Sequence, residues 1–280
     1  MPINYPLRYP TTSAAPLLTL SHPTPTVWQI ELHNGDDSRL TKELINNAFK
    51  PALDYVEREW RESWHAAKRG SKRDASAGTG ALVIVGKRGQ DKFFSNGFDY
   101  PSVVGDPHWF PATFDPLLLQ LLTFPIPTVA AINGHCFAAG AMIALACDYR
   151  VMSDGAKRNT WLCMNEVDFG AAWPVSFAAL VHAKIAHPVT FRKMALEGHR
   201  FTPSEAREAQ VVDELVGGGT EGVLSRAVEL AQSKAAKAKG GVWGTIKTEV
   251  YRSLIETTTR PDIQKTSFEA AEKRAQLAKL

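Results

Sequence analysis

Two short segments of small residues could place backbone N–H groups against a negatively charged oxygen. Residues 93–99 follow an apolar run at 81–86, and residues 133–140 follow an apolar run at 128–132. Glycine and alanine let a ligand approach the backbone, and N–H groups at such turns can bind an anion. The two turns together predict a pair of donors for an oxyanion that develops during a reaction.

The second turn also stands at the start of a predicted helix. Residues 138–140 precede the apolar run 141–147. Free N–H groups and the helix dipole would give this turn a positive potential. An ordinary structural turn explains the same residues equally well, so this segment alone leaves both interpretations open.

A third segment, residues 161–170, carries carboxylates among apolar and aromatic residues. Burial of Glu166 would raise its pKa, which suits a general base at neutral pH. The ordinary alternative, slightly favoured by the sequence alone, is a surface glutamate before a helix that begins near Pro174. Asp168 is a second candidate, because in an extended chain it would face the same side as Glu166.

Other polar residues near these turns have simpler interpretations. Asp99 is expected to cap a helix, and His135 is expected to be a hydrogen-bonded turn residue that stays a weak candidate for chemistry. The eight histidines and three cysteines show no ligand spacing, so no metal site is predicted. The cysteines fit reduced, buried thiols in an intracellular protein.

The composition limits the classes of partner that we expect for this chain. The chain has 280 residues, 44% of them hydrophobic, and a formal net charge of +3. A sizeable core is therefore available, and no basic stripe interleaved with aromatic residues suggests nucleic acid. No apolar run reaches membrane-spanning length and the first residues do not resemble a signal peptide, so we expect no membrane insertion.

Alternation of strands and helices predicts an α/β fold. Residues 1–16 are expected to form an extended, poorly ordered arm, residues 17–202 the core, and residues 203–280 a helical region that packs on the core or on another subunit. Strands are predicted at 17–20, 27–32, 82–85, 128–132 and 149–152, with a turn at 21–23. Helices are predicted from residue 39, at 114–124 and at 141–147.

The last three residues, Ala278-Lys279-Leu280, are a conservative variant of the Ser-Lys-Leu peroxisomal address. They predict import into peroxisomes and therefore an import receptor as a partner. An ordinary helix end in a chain rich in these residues is the alternative.

The three segments, in this order, resemble the enoyl-CoA hydratase/isomerase (crotonase) superfamily over roughly residues 17–215. Within it, the segments at 94–99 and 164–170 look most like the peroxisomal delta-3,delta-2-enoyl-CoA isomerases of plants and fungi. The resemblance implies a crotonase-like ββα spiral core. It also implies a C-terminal helical trimerisation region, and hence a homotrimer or hexamer.

The resemblance also implies roles for individual residues. The N–H groups of Phe98 and Ala139 would form an oxyanion hole, and Glu166 matches the catalytic glutamate. An acyl-CoA thioester would be the substrate, with no separate cofactor. Its CoA part would be held by Ser95, Asn96, Gly97, Phe98 and Gly140, with a looser match at Lys92.

At one position the sequence departs from the hydratases of this superfamily in a way that affects the expected reaction. Hydratases of this superfamily use two glutamates, and the first of these positions falls on Met142. A single carboxylate can still shuttle a proton between two carbons, so we expect isomerisation of a 3-enoyl-CoA to a 2-trans-enoyl-CoA in fatty-acid β-oxidation. The alternatives are hydration of an unusual acyl-CoA, using His135 or Asp168, and a non-catalytic acyl-CoA-binding protein.

Overall fold

The computed structural model describes residues 4–70, 76–260 and 276–277. Ten strands are present in this part of the chain. They are β1 (Leu7–Tyr9), β2 (Leu18–Thr24), β3 (Val27–Leu32), β4 (Ala81–Gly86), β5 (Phe93–Ser95), β6 (Thr128–Ile132), β7 (His135–Phe137), β8 (Tyr149–Ser153), β9 (Leu162–Cys163) and β10 (Glu214–Val216).

Ten α-helices accompany the strands in the described residues. They are α1 (Lys50–Lys68), α2 (Tyr100–Val104), α3 (Asp115–Leu122), α4 (Ala139–Ala146), α5 (Val175–Lys184), α6 (Pro188–Leu196), α7 (Pro203–Glu208), α8 (Gly219–Ala235), α9 (Trp243–Val250) and α10 (Arg252–Thr259). Segments Leu44–Phe49 and Trp109–Phe114 are π-helical, and Glu166–Phe169 and Ala236–Gly240 are 3₁₀-helical.

Seven strands form the larger sheet, in the order β1-β2-β3-β4-β6-β8-β10. The pairs β1/β2 and β2/β3 are antiparallel, and all later neighbours are parallel. β4 and β6 are buried at every residue, as their unbroken apolar sequences require for strands covered on both faces. The predicted α/β class is confirmed.

The alternation of side chains along these strands divides the core into two layers. Val83 and Val85 face α8, whose buried residues complete the smaller cluster. Leu82 and Ile84 face the opposite way, into the larger cluster that includes α1, α3 and α4.

The remaining strands, β5, β7 and β9, form a small parallel sheet. The chain passes from β4 into β5 and from β6 into β7, so two parallel strands of the large sheet each continue into the small one. β5 and β7 lie inside the segments predicted as turns at 93–99 and 133–140, so the turns themselves are shorter and begin after each of these strands. α4 begins at the second turn, and all eight of its residues are buried, as its uniformly apolar sequence predicts.

Several predicted elements differ from the structure. The turn predicted at 21–23 is wrong, because β2 continues to Thr24. Leu40 forms a β-bridge with Phe98, so the helix predicted from residue 39 starts later. β10 was not predicted, since three half-buried residues carry too little alternation to indicate a strand.

The two ends of the chain differ in how much of them the structure describes. Within the predicted N-terminal arm, β1 pairs with β2 and Tyr9 is buried, so this part of the arm is ordered and belongs to the sheet. The helical face predicted at 262–279 lies outside the described residues except at 276–277, and Ala278-Lys279-Leu280 lies wholly outside them. In the described residues no helix combines the length and apolarity needed to cross a membrane.

Candidate active site

A cavity of about 620 Å³ opens between α2, the 3₁₀ segment Glu166–Phe169 and α5. Most of its wall is aromatic or aliphatic, and Glu166 is the one carboxylic acid among the described residues that line it. The lining residues are Arg39, Asn96, Phe98, Tyr100, Val103, Val104, Phe110, Ala138, Asn165, Glu166, Phe169, Gly170, Ala171, Ala172, Pro174 and Phe177.

The first turn, after β5, is held by the segment that precedes the first helix. The Asn96 backbone N–H donates to the Asp37 carbonyl at 2.9 Å. Arg39 Nη1 donates to the Phe98 carbonyl at 2.8 Å. Gly97 has a φ of +77°, a left-handed conformation that glycine adopts without strain. The Phe98 N–H donates no hydrogen bond to a protein acceptor in the described residues.

The second turn, after β7, packs directly against the first. Ala138 has a φ of 50°, which is rare for a residue with a side chain, and its N–H donates to the Cys163 carbonyl at 2.8 Å. The next residue, Ala139, is the first of α4, and its N–H has no acceptor in the described part of the chain. Unpartnered N–H groups at Phe98 and Ala139 fit the predicted donor pair.

Close packing explains why small residues occupy these turns. A Cβ added to Gly97 would lie 2.8 Å from Ala138 Cβ, and one added to Gly140 would lie 2.7 Å from the Ser95 carbonyl oxygen. Both distances are below 3.0 Å, closer than real Cβ atoms approach another heavy atom. The glycines therefore let β5, the two turns and α4 approach each other.

Asn133 and Gly134 stabilise this arrangement from behind. Asn133 Oδ1 accepts from the Gly86 N–H at 3.0 Å, and Asn133 Nδ2 donates to Thr220 Oγ1 at 3.1 Å. A Cβ added to Gly134 would lie 2.5 Å from the Lys92 carbonyl carbon. The Asn-Gly pair thus joins the ends of β4, β6 and α8 and does not line the cavity.

Glu166 is 7% exposed and lines the cavity. Burial raises the pKa of its carboxyl group to about 7, and hydrogen bonds from its own backbone N–H and from the Trp173 indole partly oppose this shift. Trp173 Nε1 lies 3.3 Å from Glu166 Oε2. The surroundings therefore correspond to those of a general base that exchanges a proton near neutral pH.

The structure separates Glu166 from Asp168. The segment is a 3₁₀ helix and not the extended chain that would place both carboxylates on one side. Asp168 is exposed and does not line the cavity. Its side chain lies against Gly198, where an added Cβ would be 2.9 Å from Asp168 Oδ2.

His135 and Met142 lie away from the cavity lining. His135 Nδ1 accepts from the Trp161 N–H at 3.2 Å, and the two rings stack with centroids 4.9 Å apart. Burial lowers the pKa of His135, and the cations Lys92, Arg158 and Arg200 lower it further. Met142 is fully buried in the larger core cluster.

The residues predicted to hold CoA are divided between the cavity wall and its support. Asn96 and Phe98 line the cavity. Ser95 is fully buried, and its hydroxyl donates to the Ser38 carbonyl at 2.8 Å. Gly97 and Gly140 form the close contacts described above. Lys92 is exposed, with its Nζ 5.1 Å from the centre of the Phe93 ring.

Sequence reasoning missed most of the apolar wall and the partner of Glu166. Phe98 packs edge-on against Phe114, with centroids 4.8 Å apart, and Phe110 and Phe177 join the same cluster. The aromatic residues at 109–114 were the one sequence feature that could have indicated this apolar wall. Nothing in the sequence indicated that Trp173 would contact Glu166, because this hydrogen bond depends on the turn after Glu166. In the described ranges no group of three His, Cys, Asp or Glu side chains could hold a metal ion.

Comparison with known proteins shows which family the chain belongs to. The model of the family "Enoyl-CoA hydratase/isomerase" matches residues 72–274. The chain is 38% identical to "Enoyl-CoA delta isomerase 3" of Arabidopsis thaliana over 183 residues, covering 62% of this chain and 75% of that protein. It is 37% identical to "Enoyl-CoA delta isomerase 2, peroxisomal" of the same plant over 185 residues, with the same coverage.

Solved structures support the fold independently. A probable enoyl-CoA hydratase of Mycobacterium tuberculosis superposes with a TM-score of 0.70 at 22% identity, covering 93% of this chain and 99% of the other. The human mitochondrial delta3-delta2-enoyl-CoA isomerase gives a TM-score of 0.59 at 21% identity, covering 94% and 100%. The predicted crotonase-like fold is thereby confirmed. With the family model matching most of its length, this chain belongs to the enoyl-CoA hydratase/isomerase family.

Proposed function

We propose that this protein is a delta-3,delta-2-enoyl-CoA isomerase that moves the double bond of a 3-enoyl-CoA to the 2-trans position in fatty-acid β-oxidation. One observation carries the proposal: among the described residues a single buried carboxylate, Glu166, lines an apolar cavity beside the Phe98 and Ala139 turns. The Arabidopsis relatives, named as enoyl-CoA delta isomerases, support the same reaction.

The proposed mechanism uses these groups in two proton transfers. Glu166 takes a proton from C2 of the substrate, and the charge moves to the thioester oxygen. The N–H groups of Phe98 and Ala139 hold that oxygen, each contributing on the order of 3 kcal/mol to the transition state. Protonated Glu166 then delivers the proton to C4.

The composition of the cavity wall favours isomerisation over hydration. Hydration adds a hydroxyl group and a proton to different carbons, and a positioned water is needed. Since Glu166 is the one carboxylic acid lining the cavity in the described residues, it would have to place the water and supply the proton alone. Aromatic side chains such as Phe110 and Phe177 also exclude water from the reacting carbons.

The CoA part of the substrate is proposed to lie along the first turn. Asn96 and Phe98 line the cavity there, with Ser95, Gly97 and Gly140 shaping the backbone that it would contact. Lys92 is exposed and does not line the cavity. Its amino group is proposed to reach the phosphates of CoA. The CoA thioester is the substrate itself, and the proposal needs no separate cofactor.

A panel of three measurements on the purified protein tests this function. We expect conversion of a 3-enoyl-CoA to the 2-trans-enoyl-CoA, with little hydration when a 2-enoyl-CoA is supplied. Efficient hydration would favour the hydratase alternative. Binding of both esters without turnover would favour a non-catalytic acyl-CoA-binding protein.

Assembly into a homotrimer or hexamer is part of the proposal. Val242, the residue just before α9, and Ile246 and Val250 within it recur at intervals of four residues and are 52%, 55% and 68% exposed. An apolar stripe of this kind is typical of a contact with another subunit. Light scattering of the wild type and of Ile246→Asp tests this: the wild type should have at least three times the mass of the chain, and the variant a smaller mass.

We further propose that the protein acts in peroxisomes. Two Arabidopsis relatives are named as peroxisomal, although a mitochondrial relative is found in the mouse. The terminal residues Ala278-Lys279-Leu280 would bind the import receptor. A protein carrying an N-terminal fluorescent tag should enter peroxisomes, and deletion of Leu280 should leave it in the cytosol. Import that persists after the deletion would remove this role from the tripeptide.

A further inference from the structure

Trp173 contacts the candidate acid from outside the cavity. Its indole Nε1 donates a hydrogen bond to Glu166 Oε2 at 3.3 Å. Glu166 lines the cavity, whereas Trp173 does not. The indole also packs edge-on against Phe177 of α5, with ring centroids 6.3 Å apart, so the start of α5 holds it in place.

The two carboxyl oxygens of Glu166 consequently have different surroundings. Oε2 accepts the indole hydrogen bond. Oε1 accepts no hydrogen bond from another side chain within the described residues. Because the indole occupies Oε2 and Glu166 lines the cavity, Oε1 is the oxygen left for a substrate.

The chemistry of the indole preserves this difference during a reaction. An indole N–H can donate a hydrogen bond but cannot accept one. Oε2 must therefore remain an acceptor whether the carboxyl group is ionised or protonated. When Glu166 holds a proton, the carbonyl oxygen is the better acceptor for the indole, so the contact favours the proton on Oε1.

We propose that Trp173 is a positioning residue that fixes Oε2 and leaves Oε1 as the single oxygen that takes the proton from C2 and returns it to C4. This inference rests on the isomerase function proposed above. In the first step the C2–H bond breaks, the Oε1–H bond forms and the electron pair moves to the thioester oxygen. In the second step the Oε1–H bond breaks and a C4–H bond forms.

The contact also affects the pH at which Glu166 ionises. A donor to the carboxylate favours its charged form, so the Trp173 indole lowers the pKa of Glu166 against the larger effect of burial. The other ionisable side chains that line the cavity are Arg39 and Tyr100. Cys163, next to the segment, donates its thiol to the Gly198 carbonyl.

Arg39 lines the cavity but is already engaged in two contacts. Its guanidinium pairs with Asp37 at 3.0 Å and donates to the Phe98 carbonyl. Asp168, on the same 3₁₀ segment as Glu166, is exposed and turned to Gly198. Loss of the indole N–H therefore has no charged replacement among these groups, and the pKa of Glu166 should rise.

The test replaces Trp173 with phenylalanine and, separately, with benzothienylalanine, which keeps the ring shape but substitutes sulfur for the N–H. Trp64→Phe is the matched control, because the Trp64 indole donates to the Lys239 carbonyl and does not line the cavity. In both Trp173 variants the acid limb of the pH–rate profile should move up by about one pH unit, with kcat at neutral pH falling about five-fold.

Two further readouts separate positioning from a general structural role. KM should change by less than about two-fold, since the substrate does not touch Trp173. In D₂O the product should contain more deuterium at C4, because a carboxyl group that rotates freely exchanges its proton before returning it. Trp64→Phe should match the wild type in every readout.

The inference is overturned if both folded Trp173 variants keep the wild-type pH profile and the wild-type deuterium content. Failure of the wild type to isomerise any 3-enoyl-CoA would instead refute the proposed function. The contact can then still be tested by a ¹³C NMR titration of the Glu166 carboxyl group. A higher pKa in Trp173→Phe supports the contact, and an unchanged pKa refutes it.

Discussion

Gly97 and Ala138 bring the two donor turns into contact, and a Cβ added to Gly97 would lie only 2.8 Å from Ala138 Cβ. The residues that follow them, Phe98 and Ala139, carry the two unpartnered N–H groups. The spacing of the proposed oxyanion hole thus depends on a contact that leaves no room for a side chain.

Gly97→Ala should therefore impair both stability and turnover. We expect a loss of about 1–3 kcal/mol in the free energy of unfolding, from the strained φ and the clash with Ala138. Gly89→Ala is the matched control, since Gly89 has a φ of +78° but nothing within 4 Å of an added Cβ. It should lose stability and keep the wild-type kcat. Equal kcat values in the two variants would show that the contact is not needed for the reaction.

Turnover should depend on the ionisation of Glu166. Because burial raises its pKa to about 7, only part of the protein holds the base in its active form at neutral pH. The rate should therefore increase as the pH rises through about 7 and level off above it. A rate that is already maximal at pH 5 would contradict the assignment.

Because its pKa is raised in the folded state, ionised Glu166 lowers the stability of the fold at high pH. The folded protein binds the Glu166 proton more tightly than the unfolded chain, so this contribution to stability is lost as the pH rises through about 7. Glu166→Gln should be more stable than the wild type at pH 8, by at most about 3 kcal/mol, with the difference absent near pH 4. Chemical denaturation at both pH values measures this difference.

Asp115 is a second buried carboxylate, but it lies outside the cavity lining. It is 5% exposed, its Oδ1 has no hydrogen-bond partner, and burial raises its pKa to about 6. Asp115→Asn should stabilise the fold at pH 8 by about 2–3 kcal/mol, an advantage that disappears as the pH falls below about 4. Asp36→Asn, at a fully exposed position, should change stability by less than about 0.5 kcal/mol.

The C-terminal helices are attached to the core by a buried ion pair. Lys247 of α9 contacts Asp148 at 3.0 Å, and both side chains are less than 10% exposed. Lys247→Met would leave the Asp148 carboxylate buried without its cation, so we expect a loss of about 3–5 kcal/mol. Arg252→Met breaks an exposed ion pair with Glu249, which solvent screens, and should cost far less stability than Lys247→Met. Similar losses in the two variants would refute the anchoring role.

Local patterns predicted the parts of the site that depend on local backbone. The glycines at 97 and 140 and the apolar sequence of α4 indicated the two turns and the helix start. The surroundings of Glu166 were not predictable, because its burial depends on α2 and α5 and its 3₁₀ segment has no distinctive periodicity. For the same reason Asp168 remained a candidate until the structure turned it away from the cavity.

The central claim is that Glu166 is the base of a delta-3,delta-2-enoyl-CoA isomerase, and Glu166→Gln tests it most directly. The amide keeps the shape of the side chain but cannot accept and return a proton. With a 3-enoyl-CoA substrate, we predict a fall in kcat on the order of 10³-fold, with substrate binding nearly unchanged. A variant that retains the wild-type kcat would contradict the account.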